Sequence, residues 1–211
     1  MSTQQRKERE RAERRQRIVD AARELAETQG WEAVTIRKLA ERIEYSQPVL
    51  YSHFAGKAAI VGAVAEQGSA DLAVVLARAA ELATTRAERI ENIATAYLDF
   101  ATENPARYDA MFLLDTDLNF GPDAPQALRD AFAGLAAMFR YEAEGDELGA
   151  RTETAWSALH GLATLERNGR LRPELRRRRI ELLVAALGAP RRLEATTQVA
   201  PAAEGEGTTD G

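Results

Sequence analysis

Apolar residues in this chain recur three and four positions apart from one end to the other, and no stretch alternates apolar with polar residues one by one. Spacings of three and four return a side chain to the same helix face, whereas a strand needs every second residue. The pattern therefore predicts an all-α protein of about nine helices. Ile18, Ala21, Ala22 and Leu25 form the first stripe, which Gly30 can end. Thr35 is placed to cap a second helix carrying Ile36, Leu39, Ala40 and Ile43. Ser46 is placed to cap a third, with Leu50 and Phe54 inward and Gly56 after it. A long helix is expected from Lys57 into the low eighties, with Val61, Val64, Gly68, Leu72 and Val75 on one face. Later stripes run through Ile90, Ile93, Ala94 and Tyr97, then Tyr108, Met111 and Phe112, with Asn104 and Pro105 as cap and first residue between them. Leu128, Phe132, Leu135 and Phe139 mark a further helix, and Trp156, Leu159, Leu162 and Leu165 another. Pro173 opens the last, which ends near Gly188.

The punctuation divides the chain into a charged arm over 1–13, a small three-helix unit over 14–57, a larger helical body over 58–188 and a tail over 189–211. The tail is rich in Pro, Gly, Thr and Glu and is expected to be disordered. The arm is expected to be disordered or a frayed extension of the first helix. Charge is split unevenly. Residues 1–57 carry 12 Lys+Arg against 9 Asp+Glu, and the remainder 16 against 24. A basic end on an acidic body points to nucleic acid at that end. With no cysteine among 211 residues, disulfides, thiolate metal sites and cysteine nucleophiles are excluded. The first 17 residues have no apolar stretch of the secretory kind, and no apolar run is read as long enough to cross a membrane. A soluble cytoplasmic protein with no membrane partner is expected.

The compact stretch from Thr35 to Lys57 holds two helices too short to stand alone, joined by a three-residue turn at Glu44 to Ser46. That is a helix-turn-helix, with Ala40 as the small residue at the crossing. A recognition helix presents its N-terminal residues to base edges in the major groove. Gln47 sits there, and its amide can pair with adenine N6 and N7. Pro48 is tolerated in a first turn. Tyr51, His53 and Lys57 carry donors suited to phosphates, which position a protein without reading sequence. Periodicity alone leaves simple packing of two amphipathic helices open beside DNA reading.

Residue order narrows that choice. "RIVDAARELAETQGWEAVTIRKLAERIEYSQPVLYSHFAGKAAIV" resembles the DNA-binding domain of the TetR family of transcriptional regulators over about 45 residues. The shared run is Ile-x-x-Ala-Ala, a terminal Gly, a capping Thr, Leu-Tyr-x-His-Phe and Gly-Lys. The resemblance implies that Arg37 and Gln47 read bases, that Pro48 makes apolar contact in the groove, and that Thr35, Tyr51, His53 and Lys57 hold phosphates. One position departs. Glu44 stands where the family turn usually has Gly, and a left-handed backbone there costs roughly 1 kcal/mol or more.

For the body, the resemblance implies a domain that binds a small-molecule effector and forms a homodimer. "TAWSALHGL" is similar to the Trp-x-x-x-His-Gly signature of one C-terminal subgroup, through Trp156, His160 and Gly161. Candidate effector-binding residues are Tyr97, Phe100, Tyr108, Met111, Phe112, Phe139, Trp156 and His160, large side chains in the helices that usually line such a pocket. Candidate dimer residues are Ala155, Leu159, Leu162, Leu182, Leu183, Ala186 and Leu187, with internal core as the competing role. Arg176 to Arg179 circle more than one helical turn, so they cannot form one stripe and are expected to be a solvated face with ion pairs. The Arg-rich start could lie on DNA or be a solvated helix end.

Enzyme chemistry finds no support. The two histidines, His53 and His160, are far apart, and no Ser-His-Asp set, metal-ligand spacing or phosphate-cradling Gly loop is present. No metal and no cofactor are expected. The expected function is a ligand-responsive homodimeric repressor binding a pseudo-palindromic duplex operator. The alternative is a helical protein-interaction adaptor without sequence-specific DNA binding.

Overall fold

The computed structural model describes residues 2–116, 118–119, 121 and 123–189. The tail beyond Ala189, expected to be disordered, lies outside them. Among the described residues there are nine α-helices and no strand. They are α1 (Thr3–Gln29), α2 (Ile36–Arg42), α3 (Gln47–Tyr51), α4 (Lys57–Glu81), α5 (Arg86–Glu103), α6 (Pro105–Phe112), α7 (Gln126–Ala136), α8 (Gly145–Arg167) and α9 (Arg176–Gly188). Short 3-10 turns occupy Trp31–Ala33 and Pro173–Leu175.

The helix ends follow from local chemistry. Ser2 and Gln5 form a capping box, so α1 is ordered through the segment read as a separate arm. Gly30, at φ 78°, ends it. The Thr35 hydroxyl accepts the Lys38 N–H at 3.2 Å, the cap expected of it. Ser46 takes the position before α3 but makes no side-chain cap bond. Asn104 likewise precedes α6 without capping it; its side-chain amide donates to the Phe100 carbonyl and its oxygen accepts from Arg107. The helix expected to carry Phe139 stops at Ala136, so Phe139 lies in the following turn, fully buried.

Helix α4 is the axis of the fold and packs against α1, α5, α6 and α7. Ile60, Val64, Leu72 and Leu76 along it are buried. By length and composition α4 could cross a membrane, contrary to the expectation that no run could. Its apolar surface serves the core instead, as a central helix must be apolar on more than one side. Two glycines allow close approach. A methyl at Gly68 would come within 2.8 Å of Met111 Sδ on α6, and one at Gly134 within 2.9 Å of Leu76 Cβ on α4. Helices α8 and α9 close the bundle over α5. Arg176 pairs with Asp99 and Glu166, Arg179 with Glu166, and Arg177 and Arg178 with Glu181. All four arginines serve ion pairs, as expected, but only Arg177 and Arg178 lie on a solvated face; Arg176 and Arg179 are half-buried against α5 and α8, where Asp99 and Glu166 stand.

Candidate nucleic-acid interface and effector cavity

Helices α2 and α3 are held together by Leu39, Ala40, Leu50 and Phe54, all buried. Between them Glu44 adopts φ 57°, and among the described residues no other non-glycine has positive φ. The Tyr45 N–H donates to the Ala40 carbonyl at 2.9 Å, the six-to-one bond of a Schellman turn. Glu44 thus occupies the left-handed position that glycine usually fills. The turn keeps its geometry and carries the strain of a Cβ.

The outward face of α3 presents Gln47, Pro48 and Tyr51, the last 55% exposed. Arg37 is exposed on α2 and held by Glu41 at 2.8 Å. The Thr35 hydroxyl is engaged as the α2 cap, as above. Lys57 begins α4, and its Nζ donates to the Trp31 carbonyl at 2.6 Å. His53 is half-buried just beyond α3, and its carbonyl accepts from Arg15 Nη1 at 3.1 Å. Arg15 also lies over the Phe54 ring at 4.1 Å. Burial, and then Arg11, Arg14 and Arg15, hold the His53 imidazole below its ordinary value. All seven residues named from sequence fall on the small N-terminal unit. What sequence reasoning missed is the arginine cluster from α1 around His53, although the spacing of Lys7, Arg11 and Arg15 by four was visible.

The body holds a partly open cavity of about 570 Å³. Its wall is built by Ala65, Ser69 and Leu72 of α4, Met111 and Phe112 of α6, Leu128, Phe132 and Leu135 of α7, and Trp156 of α8, with Leu118 from the connecting loop. Tyr97 also borders it, although that ring is fully buried. Arg129 and Glu153 add charge at its edge. Of the eight candidates, Tyr97, Met111, Phe112 and Trp156 line this space. Phe100 and Phe139 are buried elsewhere in the core. Tyr108 and His160 stand behind the wall in a hydrogen-bonded chain. Trp156 Nε1 donates to the Tyr97 hydroxyl at 3.2 Å, which meets the Tyr108 hydroxyl at 3.2 Å, which meets His160 Nδ1 at 2.7 Å. The chain satisfies polar tips that burial would otherwise penalise. It also gives the Trp-x-x-x-His spacing a physical content: one turn of α8 holds both ends of a clamp on α5 and α6. Burial pushes the Tyr108 phenol up to about 12 and Tyr97 higher still, so both remain protonated at neutral pH. Leu118, Leu128 and Phe132 were not singled out from sequence, because cavity membership depends on which helices meet.

The candidate dimer residues divide. Ala155 and Leu159 are completely buried inside one chain, packed toward the core, so they are not available to a second copy. Leu182 is 54% exposed, Ala186 is exposed, and Leu162, Leu183 and Leu187 are half-buried. Gly161 has open space where a side chain would be.

Residues 18–64 match the family model for bacterial regulatory proteins of the tetR family, and residues 90–188 match the model for the tetracyclin repressor-like C-terminal domain. An HTH-type transcriptional regulator of Mycobacterium tuberculosis is 30% identical over 159 residues, covering 74% of this chain and 71% of the relative. The class C tetracycline repressor protein of Escherichia coli is 44% identical over 52 residues, 25% of this chain and 24% of that one. A protein of unknown function from Rhodococcus sp. RHA1 superposes with TM-score 0.63 at 24% identity, covering 82% of this chain and 90% of its own. A tetR-family regulatory protein from Rhodococcus RHA1 superposes with TM-score 0.57 at 19% identity, covering 84% and 98%. The two models meet the chain where the helix-turn-helix and the cavity-bearing bundle stand, and the chain belongs to the TetR family of DNA-binding transcriptional regulators.

Proposed function

We propose that this regulator is a homodimeric, effector-responsive repressor acting on a pseudo-palindromic operator in the cytoplasm. The observation that carries this is the shared helix. The α4 that begins at Lys57, against the DNA-binding unit, also supplies Ala65, Ser69 and Leu72 to the cavity wall. A molecule occupying the cavity bears on the same helix that packs on α1 of the DNA-binding unit and follows α3 in the chain. Gln47 and Arg37 would read bases and Tyr51, His53, Thr35 and Lys57 would meet phosphates. Two copies would place their α3 helices about 34 Å apart, one turn of duplex. The effector is a predominantly apolar small molecule, since apolar walls with few polar tips select such ligands. It releases DNA to the extent that it binds one conformer better than the other. The exposed side of α9 at Leu182 and Ala186, beside Leu162 and Gly161 of α8, is the surface available for dimerisation.

The test begins with selection of a duplex from a random library. Trp31→Phe protein, in which Trp156 is the remaining tryptophan, serves only to find apolar compounds that quench its fluorescence, and release of the duplex by those compounds is then measured with the parent protein. A two-fold symmetric site that is released by cavity-binding compounds is expected. Operator affinity that stays constant across compounds that do bind would overturn effector response. Sedimentation of Leu182→Glu, expected to be monomeric, tests the interface separately.

A further inference from the structure

We propose that the first turns of α1 form a rigid helical arm that grips the phosphates of duplex DNA flanking the site read by α3, through Lys7 and Arg11 with Arg14 and Arg15 at its root. It rests on DNA binding and is independent of effector response.

Three observations lead there. The arm is helix from Thr3 onward, sealed by the Ser2–Gln5 capping box, so its charges are pre-positioned. Each helical residue turns by about 100°, which places Lys7, Arg11, Arg14 and Arg15 within roughly 100° of one another. That face is continuous with the DNA-facing unit: Arg15 Nη1 donates to the His53 carbonyl at 3.1 Å and its guanidinium covers Phe54 at 4.1 Å. Arg11 and Arg14 lie close enough to His53 to act on its charge.

The other charges of the arm are largely answered within it. Arg6 pairs with Glu10 at 3.1 Å and Arg9 with Glu13 at 2.8 Å. Arg14 shares Glu10 at 3.4 Å. Lys7 and Arg11 are exposed and make no ion pair among the described residues. The result is a helix with one neutralised side and one predominantly cationic side, bordered by Glu8, which accepts from Gln4 Nε2 at 2.6 Å, and the cationic side begins at the candidate phosphate-facing residues. From Arg15 back to Lys7 the helix rises about 12 Å, along which a duplex carries about seven phosphate charges. Duplex DNA fits this face better than an anionic membrane. Residues 3–17 contain Ala12 as their sole apolar side chain, so there is no apolar face to enter a bilayer.

The experiment uses the full chain and a library-selected duplex with ten base pairs of flank on each side. Affinity is followed by anisotropy between about 50 and 300 mM salt. Each lost phosphate contact lowers the slope of log affinity against log salt by about 0.9, so K7Q/R11Q should flatten it by about two per protomer. R6Q/R9Q, on the neutralised side, should leave it unchanged. Trimming the flanks should remove the difference between K7Q/R11Q and the parent. Circular dichroism checks that helix content is retained. The proposal is overturned by an unchanged slope in K7Q/R11Q, or by an equal loss in R6Q/R9Q, which would indicate bulk charge. Parent protein that shows no salt-dependent duplex binding also overturns it. So does loss of binding to phosphatidylserine vesicles with duplex binding intact.

Discussion

The Trp31 indole N–H donates to the Ala106 carbonyl at 2.9 Å, in buried surroundings and across 75 positions of sequence. The same Trp31 offers its carbonyl to Lys57 Nζ. One residue just beyond α1, in the 3-10 turn, is thus bonded both to α6, which carries Met111 and Phe112 of the cavity, and to the first residue of α4. Trp31→Phe keeps an aromatic ring but removes the pyrrole half of the buried indole, and with it the α6 bond. It should lower stability by about 1 kcal/mol, read as a shift in the urea midpoint. It should also weaken effector-driven release more than operator affinity itself. An unchanged midpoint would mean that neither the bond nor the packing of the indole contributes net stability.

Glu44→Gly removes a Cβ from a left-handed backbone without moving the turn. Stability should rise by about 1 kcal/mol, measured by chemical denaturation, and the affinity for DNA should stay within a factor of two or so. A loss of stability would show that the Glu44 side chain contributes more than its strain costs.

Gly134→Ala places a methyl 2.9 Å from Leu76 Cβ, a backbone-anchored atom that cannot swing aside. Overpacking of this kind costs about 1–3 kcal/mol. Gly161→Ala, in open space, should be neutral or gain up to about 1 kcal/mol from helix propensity. Equal thermal shifts for both substitutions would contradict the close approach of α7 to α4.

Acid should destabilise the protein through its histidines. Burial, and then neighbouring arginines, lower the affinity of His53 and His160 for protons in the fold. The unfolded chain takes up protons at the ordinary value of 6.5. Stability is therefore complete above about pH 6.5 and lost as pH falls below it. Urea midpoints measured from pH 7.5 to pH 5 should decline, and His160→Gln should decline less steeply. A midpoint that is flat over this range would sink the prediction.

Much of this molecule was legible in the sequence because its helices are built from contacts three and four residues apart. The stripe of Ile18, Ala21, Ala22 and Leu25, the Thr35 cap and the stop at Gly30 need no partner from elsewhere in the chain. The ordered run from Arg17 to Val61 carried the DNA-binding unit, and it even exposed Glu44 as the position under strain. Tertiary structure decided the rest. Ala155 and Leu159 share the stripe of Leu162, but crossing against α5 and α7 turns them inward and leaves Leu162 half-exposed. Tyr108 and His160 looked like pocket residues, but the packing of α6 on α5 commits their polar atoms to a buried chain behind the wall. The bond from Trp31 to Ala106 and the meeting of Leu118, Phe132 and Trp156 around one cavity depend on how distant helices cross. Local spacing specifies which face of a helix is apolar, and only the packed arrangement of helices specifies what each such face touches.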